Sequence, residues 1–264
     1  MSSAPGFDYP ALLGLLGATA ARFDVDHLPE CDSTNSELLR RAANGGPSGL
    51  VVICDRQHAG RGRRGRHWLS APGDSLTFSL LWRRPERQDL SGLSLVVGLA
   101  VAQALEALEV TGIGLKWPND IWRENAKLGG ILIETASGGE SLVIGIGLNL
   151  RENPGWTHDA GRAVTSIEAS GHLIAREAVL ASVLLRLAAT LDQFSMLGFP
   201  PFREDWNRRD AFAGKPVELS GDRERIEGIC RGVGDEGALR LETASGLISF
   251  NAGDLSLRIR TETH

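Results

Sequence analysis

The chain has 264 residues, of which 42% are hydrophobic and 23% charged, and its formal net charge at pH 7 is −5. This length and composition are typical of a folded globular protein with one large domain and room for a small second one. The acidic balance argues against general nucleic-acid binding, and three scattered cysteines without a CxxC pair indicate neither a disulfide framework nor a zinc site.

The N-terminal region does not have the pattern of a targeting signal. Its apolar stretch, residues 11–21, follows Asp8 and lacks a basic segment ahead of it. Elsewhere we find no run that is long and apolar enough to span a membrane. The sequence therefore predicts a cytoplasmic protein without a membrane segment.

Helices and strands alternate through the first four fifths of the chain. In Ser75–Trp82, Leu76, Phe78 and Leu80 alternate as in a strand, whereas the leucines of 175–196 recur with helical spacing. The predicted helices are 9–21, a segment capped by Ser33 or Thr34 that stops before Gly45, 93–108, 175–196 and 202–209. The predicted strands are 22–29, 50–55, 75–82, 113–117, 128–135 and 141–150.

The pattern changes after Phe212. Short apolar segments separated by Gly and Asp turns predict strands at 214–219, 226–233, 238–243, 247–250 and 255–259. Regular short strands are typical of a small all-β barrel. We therefore expect two domains, 1–212 and 213–264.

Residues Gly60–Arg66 form a basic, glycine-rich segment, Gly-Arg-Gly-Arg-Arg-Gly-Arg, between an apolar run and Trp68. Glycine offers bare backbone N–H groups, and arginine supplies a fork of donors that matches carboxylate and phosphate. Such a loop can gather anions that otherwise repel one another, as when a carboxylate reacts with a nucleotide phosphate. A disordered RNA-binding tail is the alternative, but the segment is short and foldable sequence flanks it on both sides.

A second polar motif, Lys116-Trp117-Pro118-Asn119-Asp120, follows an apolar stretch. Pro118 cannot donate to a sheet, and Asn and Asp favour turns, so Lys116 is expected at a strand end. Lys127 opens the next predicted strand, Lys-Leu-Gly-Gly-Ile-Leu. With 119–126 as a hairpin-like connection, the two lysines would flank one site.

Together these motifs resemble those of the biotin protein ligases. The Arg/Gly segment with Trp68, the Lys-Trp-Pro-Asn-Asp turn and the Lys-Leu-Gly-Gly-Ile-Leu strand occur in the family's order, from about Glu30 to the C-terminus. Ser33-Thr34-Asn35 and Gly145–Leu150 are similar to two further family segments. The resemblance implies an α+β fold. A central mixed or antiparallel sheet flanked by helices, as in class II synthetases, would carry a small C-terminal SH3-like barrel.

The resemblance also implies a reaction. ATP and biotin would be the substrates, Mg²⁺ would accompany ATP, and the partner would be a biotin carboxyl carrier protein whose lysine receives biotin. Many family members begin with a DNA-binding domain, but too few residues precede the first core strand here, so we expect no DNA binding. We expect a monomer or weak homodimer, and no protein side chain as a direct metal ligand, although Asp120 could position Mg²⁺ through water.

Residue roles carried over by motif fall into three groups. The expected catalytic residues are Lys127, which would meet the biotin carboxylate, Arg63, which would retain the adenylate, and Lys116. The expected biotin-binding residues are Ser33, Thr34, Asn35, Gln57, Gly60, Arg61, Gly62, Arg63, Lys127, Gly130, Gly145 and Gly147. The expected ATP-binding residues are Arg63, Arg64, Arg66, Trp68, Lys116, Asn119 and Asn149, with Trp68 and Asn149 on the adenine side.

Within the biotin group, Ser33, Thr34 and Gln57 would bond the ureido end of biotin, and Asn35 would be structural at the helix start. The glycines Gly130, Gly145 and Gly147 would let the biotin rings approach the sheet. Two other functions stay open: a lipoate or octanoate ligase of the same fold, and a catalytically silent biotin sensor.

Overall fold

The structure is a computed structural model, which describes residues 6–84, 89–136, 139–153, 155, 163–171, 173–221, 225–251 and 255–259. Its helices are α1 (Tyr9–Leu16), α2 (Thr34–Ala43), α3 (Leu93–Ala107), α4 (Arg176–Leu197) and α5 (Arg203–Arg208). Its strands are β1 (Asp24–Cys31), β2 (Leu50–Gln57), β3 (Ser75–Arg83), β4 (Ile113–Lys116), β5 (Asp120–Arg123), β6 (Ala126–Thr135), β7 (Ser141–Asn149), β8 (Pro216–Ser220), β9 (Arg225–Val233), β10 (Leu239–Thr243), β11 (Gly246–Phe250) and β12 (Ser256–Ile259).

Local sequence explains several of these boundaries. The Asp8 carboxylate accepts a hydrogen bond from the Ala11 N–H (2.9 Å), which caps α1. Ser33 precedes α2 as expected, but its side chain makes no capping hydrogen bond. Glu37 instead pairs with Arg41 at 2.8 Å, four residues along the helix.

The segment predicted as a connection between the two lysines contains a strand. Asp120–Arg123 pairs with β4 on one side and β6 on the other. The turn that follows places Glu124 and Asn125 at positive φ (47° and 68°), the backbone of a tight two-residue hairpin. Only the hairpin turn itself thus matches the predicted connection.

Among the described residues, the first seven strands form one sheet in the order β1-β2-β3-β7-β6-β5-β4. β1 and β2 are parallel, and the other neighbours are antiparallel, so the sheet is mixed. The last five strands form an antiparallel sheet in the order β11-β10-β9-β8-β12. The predicted α+β class, with helices flanking a central mixed sheet, is confirmed.

The two faces of the central sheet are both covered. Helices α1, α3 and α4 share a core with one face, which we call the core face and which carries Leu76, Phe78 and Leu80 of β3. Helix α2 packs through Leu38 on the opposite face, which we call the site face, where a smaller apolar cluster includes Val52 and Val143. The candidate site lies on the site face, beside this small cluster.

Helix α4 corrects one expectation from the sequence. Its 22 residues are long and apolar enough, by length and composition, to cross a membrane. Several of them, including Val179, Leu180, Val183 and Leu184, are fully buried in the same core as α3. Burial of this kind is typical of the central helix of a folded domain.

Backbone and side-chain bonds join β4 and the turn after it to the segment that follows α5 and to the turn between β9 and β10. The Leu115 N–H donates to the Arg209 carbonyl (2.7 Å), and the Ala211 N–H donates to the Leu115 carbonyl (2.8 Å). The buried indole of Trp117 donates to the Gly237 carbonyl at 3.1 Å. The turn that follows β4 is therefore anchored by Trp117 to the turn between β9 and β10.

Candidate active site

One cavity on the site face collects residues from distant parts of the chain. The N-terminus of α2, the Gly60–Arg66 segment, the turn between β4 and β5, and strands β3, β6 and β7 all line it. Residues 255–257 of the C-terminal sheet complete the wall. Of the expected site residues, the lining includes Ser33, Thr34, Asn35, Gln57, Arg61, Gly62, Arg63, Arg64, Arg66, Trp68, Lys116, Asn119, Lys127, Gly130, Gly145, Gly147 and Asn149.

The Arg/Gly segment folds as a closed loop. The Trp68 N–H donates to the Gly60 carbonyl (2.9 Å), and the Gly62 N–H donates to the Arg66 carbonyl (2.7 Å). A Cβ at Gly60 would lie 2.3 Å from the Trp68 carbonyl oxygen, so a side chain cannot be accommodated at the neck of the loop. The closed neck holds the arginine side chains beside the cavity.

A carboxylate holds the two lysines at one point. Asp120 Oδ1 lies 2.8 Å from Lys127 Nζ, and its Oδ2 lies 3.4 Å from Lys116 Nζ. The Lys116 side chain is only 5% exposed, and its ammonium also lies over the rings of Trp122 (5.2 Å) and Phe212 (5.6 Å). Two cations and one anion leave a net positive charge at this end of the cavity, which suits a ligand with several negative charges.

An arginine from the loop reaches the same end of the cavity. Arg63 Nη1 lies 3.4 Å from Asn119 Oδ1. The Asn119 amide is fixed in turn, because its Nδ2 donates to the Ile131 carbonyl at 2.6 Å. The expected catalytic residues Lys127, Lys116 and Arg63 are therefore brought together by the fold.

The opposite end of the cavity is built from buried neutral polar groups. Gln57 Oε1 accepts from the Thr34 N–H at 2.8 Å and lies 3.2 Å from the Thr34 hydroxyl. Ser79 Oγ lies 2.7 Å from Thr34 Oγ1 and 2.6 Å from Asn35 Oδ1. Such paired donors and acceptors suit a compact polar ligand group that carries both N–H and C=O.

Two of the expected glycines make room for protein side chains. A Cβ at Gly145 would lie 2.2 Å from Asn35 Oδ1, and a Cβ at Gly147 would lie 2.3 Å from the Trp68 ring. The space predicted for the rings of the ligand is thus occupied at these two positions by Asn35 and Trp68.

The remaining contacts of these residues define the cavity floor. At Gly130, a Cβ would meet only ordinary contacts, the nearest at 3.4 Å from Lys127 Nζ. The Trp68 indole N–H donates to Thr77 Oγ1 at 3.2 Å. The Lys127 ammonium lies 5.9 Å from the centre of the Trp68 ring. The Asn149 amide donates to the Thr165 carbonyl at 3.0 Å. Trp68, predicted on the adenine side, therefore forms part of the floor of the cavity.

Several site residues were not found from the sequence. Thr77, Ser79 and Glu134 lie inside strands whose apolar pattern is typical of a protein core. Their polarity was the only feature of the sequence that could have marked them as site residues. Residues 255–257 and Val164 reach the cavity through tertiary contacts that no local pattern indicates.

Thiol chemistry does not fit this site. Burial, followed by the neighbouring Asp210 carboxylate, raises the pKa of Cys230 to about 12, so this thiol is protonated at neutral pH. Cys230 does not line the cavity. The cavity instead offers cations and backbone N–H groups, which stabilise developing negative charge.

Comparison with known proteins agrees with this geometry. Residues 29–150 match the Biotin/lipoate A/B protein ligase family, and residues 212–258 match the Biotin protein ligase C terminal domain. Over 263 residues the chain is 35% identical to the bifunctional ligase/repressor BirA of Escherichia coli K12, covering 96% of this chain and 81% of that protein. The chain belongs to the biotin protein ligase family. It is therefore an enzyme, a ligase.

Two further relatives extend the match. The ligase is 34% identical over 250 residues to the biotin–[acetyl-CoA-carboxylase] ligase of Mycobacterium tuberculosis, with 91% of each chain covered. The biotin protein ligase from Aquifex aeolicus, solved in complex with biotin and ATP, superposes with a TM-score of 0.80 at 33% identity. That match covers 90% of this chain and 99% of the other. The resemblance inferred from the motifs is confirmed.

Proposed function

We propose that this ligase activates biotin with ATP and transfers the biotinyl group to one lysine of a biotin carboxyl carrier protein. The observation that carries the proposal is one cavity with two chemically different ends. A buried neutral polar end (Thr34, Gln57, Ser79) suits a ureido group, and a cationic end (Lys116, Lys127, Arg63) suits a carboxylate beside a nucleotide phosphate. Relatives named for biotin and for acetyl-CoA carboxylase support the substrate and the type of acceptor.

In the first half-reaction, a carboxylate oxygen of biotin attacks the α-phosphorus of ATP. A new O–P bond forms, the bond from the α-phosphorus to the oxygen that bridges to the β-phosphate breaks, and pyrophosphate leaves with its electron pair. The two reactants repel each other, and negative charge grows on the phosphorus oxygens. Lys127, Lys116 and Arg63 would offset both costs, because they are already held at one end of the cavity before the reactants arrive.

In the second half-reaction, the amine of the acceptor lysine attacks the carbonyl carbon of the mixed anhydride. An amide forms, AMP leaves with the electron pair of the broken C–O bond, and the amine loses a proton. Until the acceptor arrives, water must be kept from the anhydride. The closed loop lines the cavity and would shield the anhydride, with Arg63 retaining the adenylate.

Mg²⁺ would enter with ATP as part of that substrate. In the part of the chain that the structure describes, no group of three or more His, Cys, Asp and Glu side chains could hold a metal ion. The Asp120 carboxylate in the cavity already contacts two lysine ammonium groups. The donor set therefore fits a metal that is carried by the phosphates rather than by a protein cage.

The polar end of the cavity separates biotin from lipoate and octanoate, the acids of the alternative ligases. Thr34 and Gln57 line the cavity, and a plain alkyl chain against them would leave part of their hydrogen-bonding capacity unused. The assembled cluster of Lys116, Lys127 and Arg63 is more than a catalytically silent sensor would require.

Several narrower expectations remain predictions. These are the division into domains 1–212 and 213–264, the cytoplasmic location, the monomer or weak homodimer, and the absence of DNA binding. The C-terminal family match begins at residue 212, which supports the predicted division.

The direct test is transfer. The purified ligase is incubated with biotin, MgATP and a purified biotin carboxyl carrier protein, and the carrier is analysed by intact mass and peptide mapping. We expect one biotinyl group on one lysine, and none when ATP is omitted. A carrier that stays unmodified while ATP is converted to AMP and pyrophosphate would assign another acceptor and contradict the transfer step.

A further inference from the structure

Glu134 lies on β6 between two parts of the site. One of its carboxylate oxygens, Oε2, accepts from the Asn35 side-chain amide at 2.7 Å and from Arg61 Nη2 at 3.0 Å. Its side chain is 26% exposed, whereas Asn35 is only 3% exposed. Glu134 therefore connects the Arg/Gly loop with the buried start of α2.

An ionised carboxylate can only accept hydrogen bonds, and this fixes the orientation of the Asn35 amide. The NH₂ group must point to Glu134, where it also reaches the Leu132 carbonyl at 3.2 Å. The Asn35 carbonyl oxygen is thereby directed at Ser79 Oγ, 2.6 Å away. Since a carbonyl oxygen is also an acceptor, Ser79 must be the donor in that bond.

The same reasoning fixes the next hydroxyl. Ser79 has one hydroxyl hydrogen, which is used toward Asn35, so its 2.7 Å contact with Thr34 Oγ1 requires Thr34 to donate. This contact is shorter than the 3.2 Å between the Thr34 hydroxyl and Gln57 Oε1, which already accepts from the Thr34 N–H. The Thr34 hydroxyl hydrogen then points into the sheet, and a lone pair on Thr34 Oγ1 is left for the cavity. Gln57 Oε1 accepts from the Thr34 N–H, which leaves the amide NH₂ of Gln57 as a donor.

We propose that Glu134 is a positioning residue that sets the direction of the hydrogen-bond chain Thr34→Ser79→Asn35→Glu134. The cavity then presents an acceptor at Thr34 and a donor at Gln57. This arrangement matches the N–H and C=O groups of a cyclic urea, so the inference rests on the proposed function. Glu134 acts through three other side chains and touches no reacting atom.

Exchanging the amide of Asn35 and the carboxylate of Glu134 tests the direction of the hydrogen-bond chain. Asn35→Asp places a carboxylate against Glu134, and the repulsion breaks the chain. Glu134→Gln alone lets either end of the new amide face Asn35, so only the 3.2 Å bond to the Leu132 carbonyl still orients Asn35 and the direction is held less firmly. Combining the two restores it, because the introduced carboxylate accepts both from Ser79 and from the NH₂ of the introduced amide.

Calorimetry measures the biotin affinity of each variant. Asn35→Asp should weaken binding about tenfold or more, Glu134→Gln should weaken it by less, and the double variant should bind at least about threefold more tightly than Asn35→Asp, short of the wild type because the bond to the Leu132 carbonyl stays lost. In pyrophosphate exchange, KM for biotin should follow the same order while kcat changes little, because the lysines are untouched. Glu236→Gln, the same charge change in an exposed turn, is the matched control.

A second pair of variants covers the case in which Asn35→Asp fails to fold. Ser79→Ala removes the middle of the chain without adding charge, so Glu134→Gln should cause no further loss of biotin affinity in that background. Two results would overturn the inference. One is an equal loss of biotin affinity on Glu134→Gln whether or not Ser79 is present, and the other is a double variant that binds biotin no more tightly than Asn35→Asp. If the wild-type protein does not bind biotin at all, the proposed function fails instead, which is a distinguishable result.

Discussion

On β3, Leu76, Phe78 and Leu80 point into the apolar core, whereas Thr77 and Ser79 between them point to the candidate site. All five are buried to nearly the same degree. The difference lies in what they meet: side chains of the main core on one face, and hydrogen-bond partners from the start of α2 and from Trp68 on the other.

Strand β7 repeats the contrast between the two faces. Its core face carries Ile144, Ile146 and Leu148, and its site face carries Gly145, Gly147 and Asn149. Large branched residues fill space on the first face, while small residues on the second leave space for other groups. Because successive strand residues face opposite ways, one strand serves stability and binding at once.

Phe78→Ala should break the core face with the largest effect. The ring is fully buried, and removing it leaves a cavity that the surrounding core cannot close, at a cost of about 3–5 kcal/mol in unfolding free energy. Urea denaturation followed by circular dichroism measures this. Site chemistry should be retained in the protein that remains folded, and a loss of less than 1 kcal/mol, about that of a surface change, would contradict the core assignment.

Lys127→Ala should break the site face with little effect on stability. Its side chain is 25% exposed and contacts Asp120, so its loss removes a site cation while the fold remains. We expect adenylate formation to slow by about 10² or more, measured by single-turnover kinetics. Lys215→Ala, a substitution outside the cavity lining, serves as the control, and near-normal rates for Lys127→Ala would remove this lysine from the mechanism.

A pair of glycine substitutions sharpens the comparison. At Gly147 a methyl group would meet the Trp68 ring at 2.3 Å, whereas at Gly98 in α3 the nearest atoms are at 3.5 Å, an ordinary contact. Gly147→Ala should displace Trp68 and cost about 1–3 kcal/mol, with weaker biotin binding. Gly98→Ala should be neutral or stabilising by about 0.5–1 kcal/mol. Thermal unfolding of the two variants measures both effects. A lower Tm for Gly98→Ala than for Gly147→Ala would contradict the assignment of the two faces.

The smallest expected effect lies where the two sheets meet. Burial raises the pKa of Asp210, so the folded state favours the protonated form of this carboxyl. Its contribution to stability is present at low pH and is lost as pH rises through the raised folded value. Asp210→Asn removes this dependence, and the difference in Tm, variant minus wild type, should be more positive at pH 7 than at pH 3. An unchanged difference would show that the carboxyl is not destabilised by burial.

Much of the architecture follows from local pattern. Alternation on β3 and the leucine stripe of α4 predicted both elements within about two residues, as expected for strongly periodic segments. Strand β5 was missed because Asp120 ends the Lys-Trp-Pro-Asn-Asp motif, which predicted a turn, and Arg123 is charged. Both are buried, and their charges are paired with Lys127 and with Glu124.

The candidate site was predictable in its cations and less so in its polar end. The motifs around Arg63, Lys116 and Lys127 named residues that the fold brings to one cavity. Ser79 and Glu134 were missed, because the role of a polar residue inside an apolar strand can be inferred only from its hydrogen-bond partner. Those partners lie 44 and 99 positions away in the chain, beyond any local pattern.

ATP–pyrophosphate exchange, with biotin, lipoate or octanoate as the only acid, tests the central claim most directly. The two ends of the cavity predict rapid exchange with biotin and none above background with the other two acids. Exchange with lipoate or octanoate instead would contradict the assignment of the polar end, and tight biotin binding without any exchange would contradict the assignment of the cationic end.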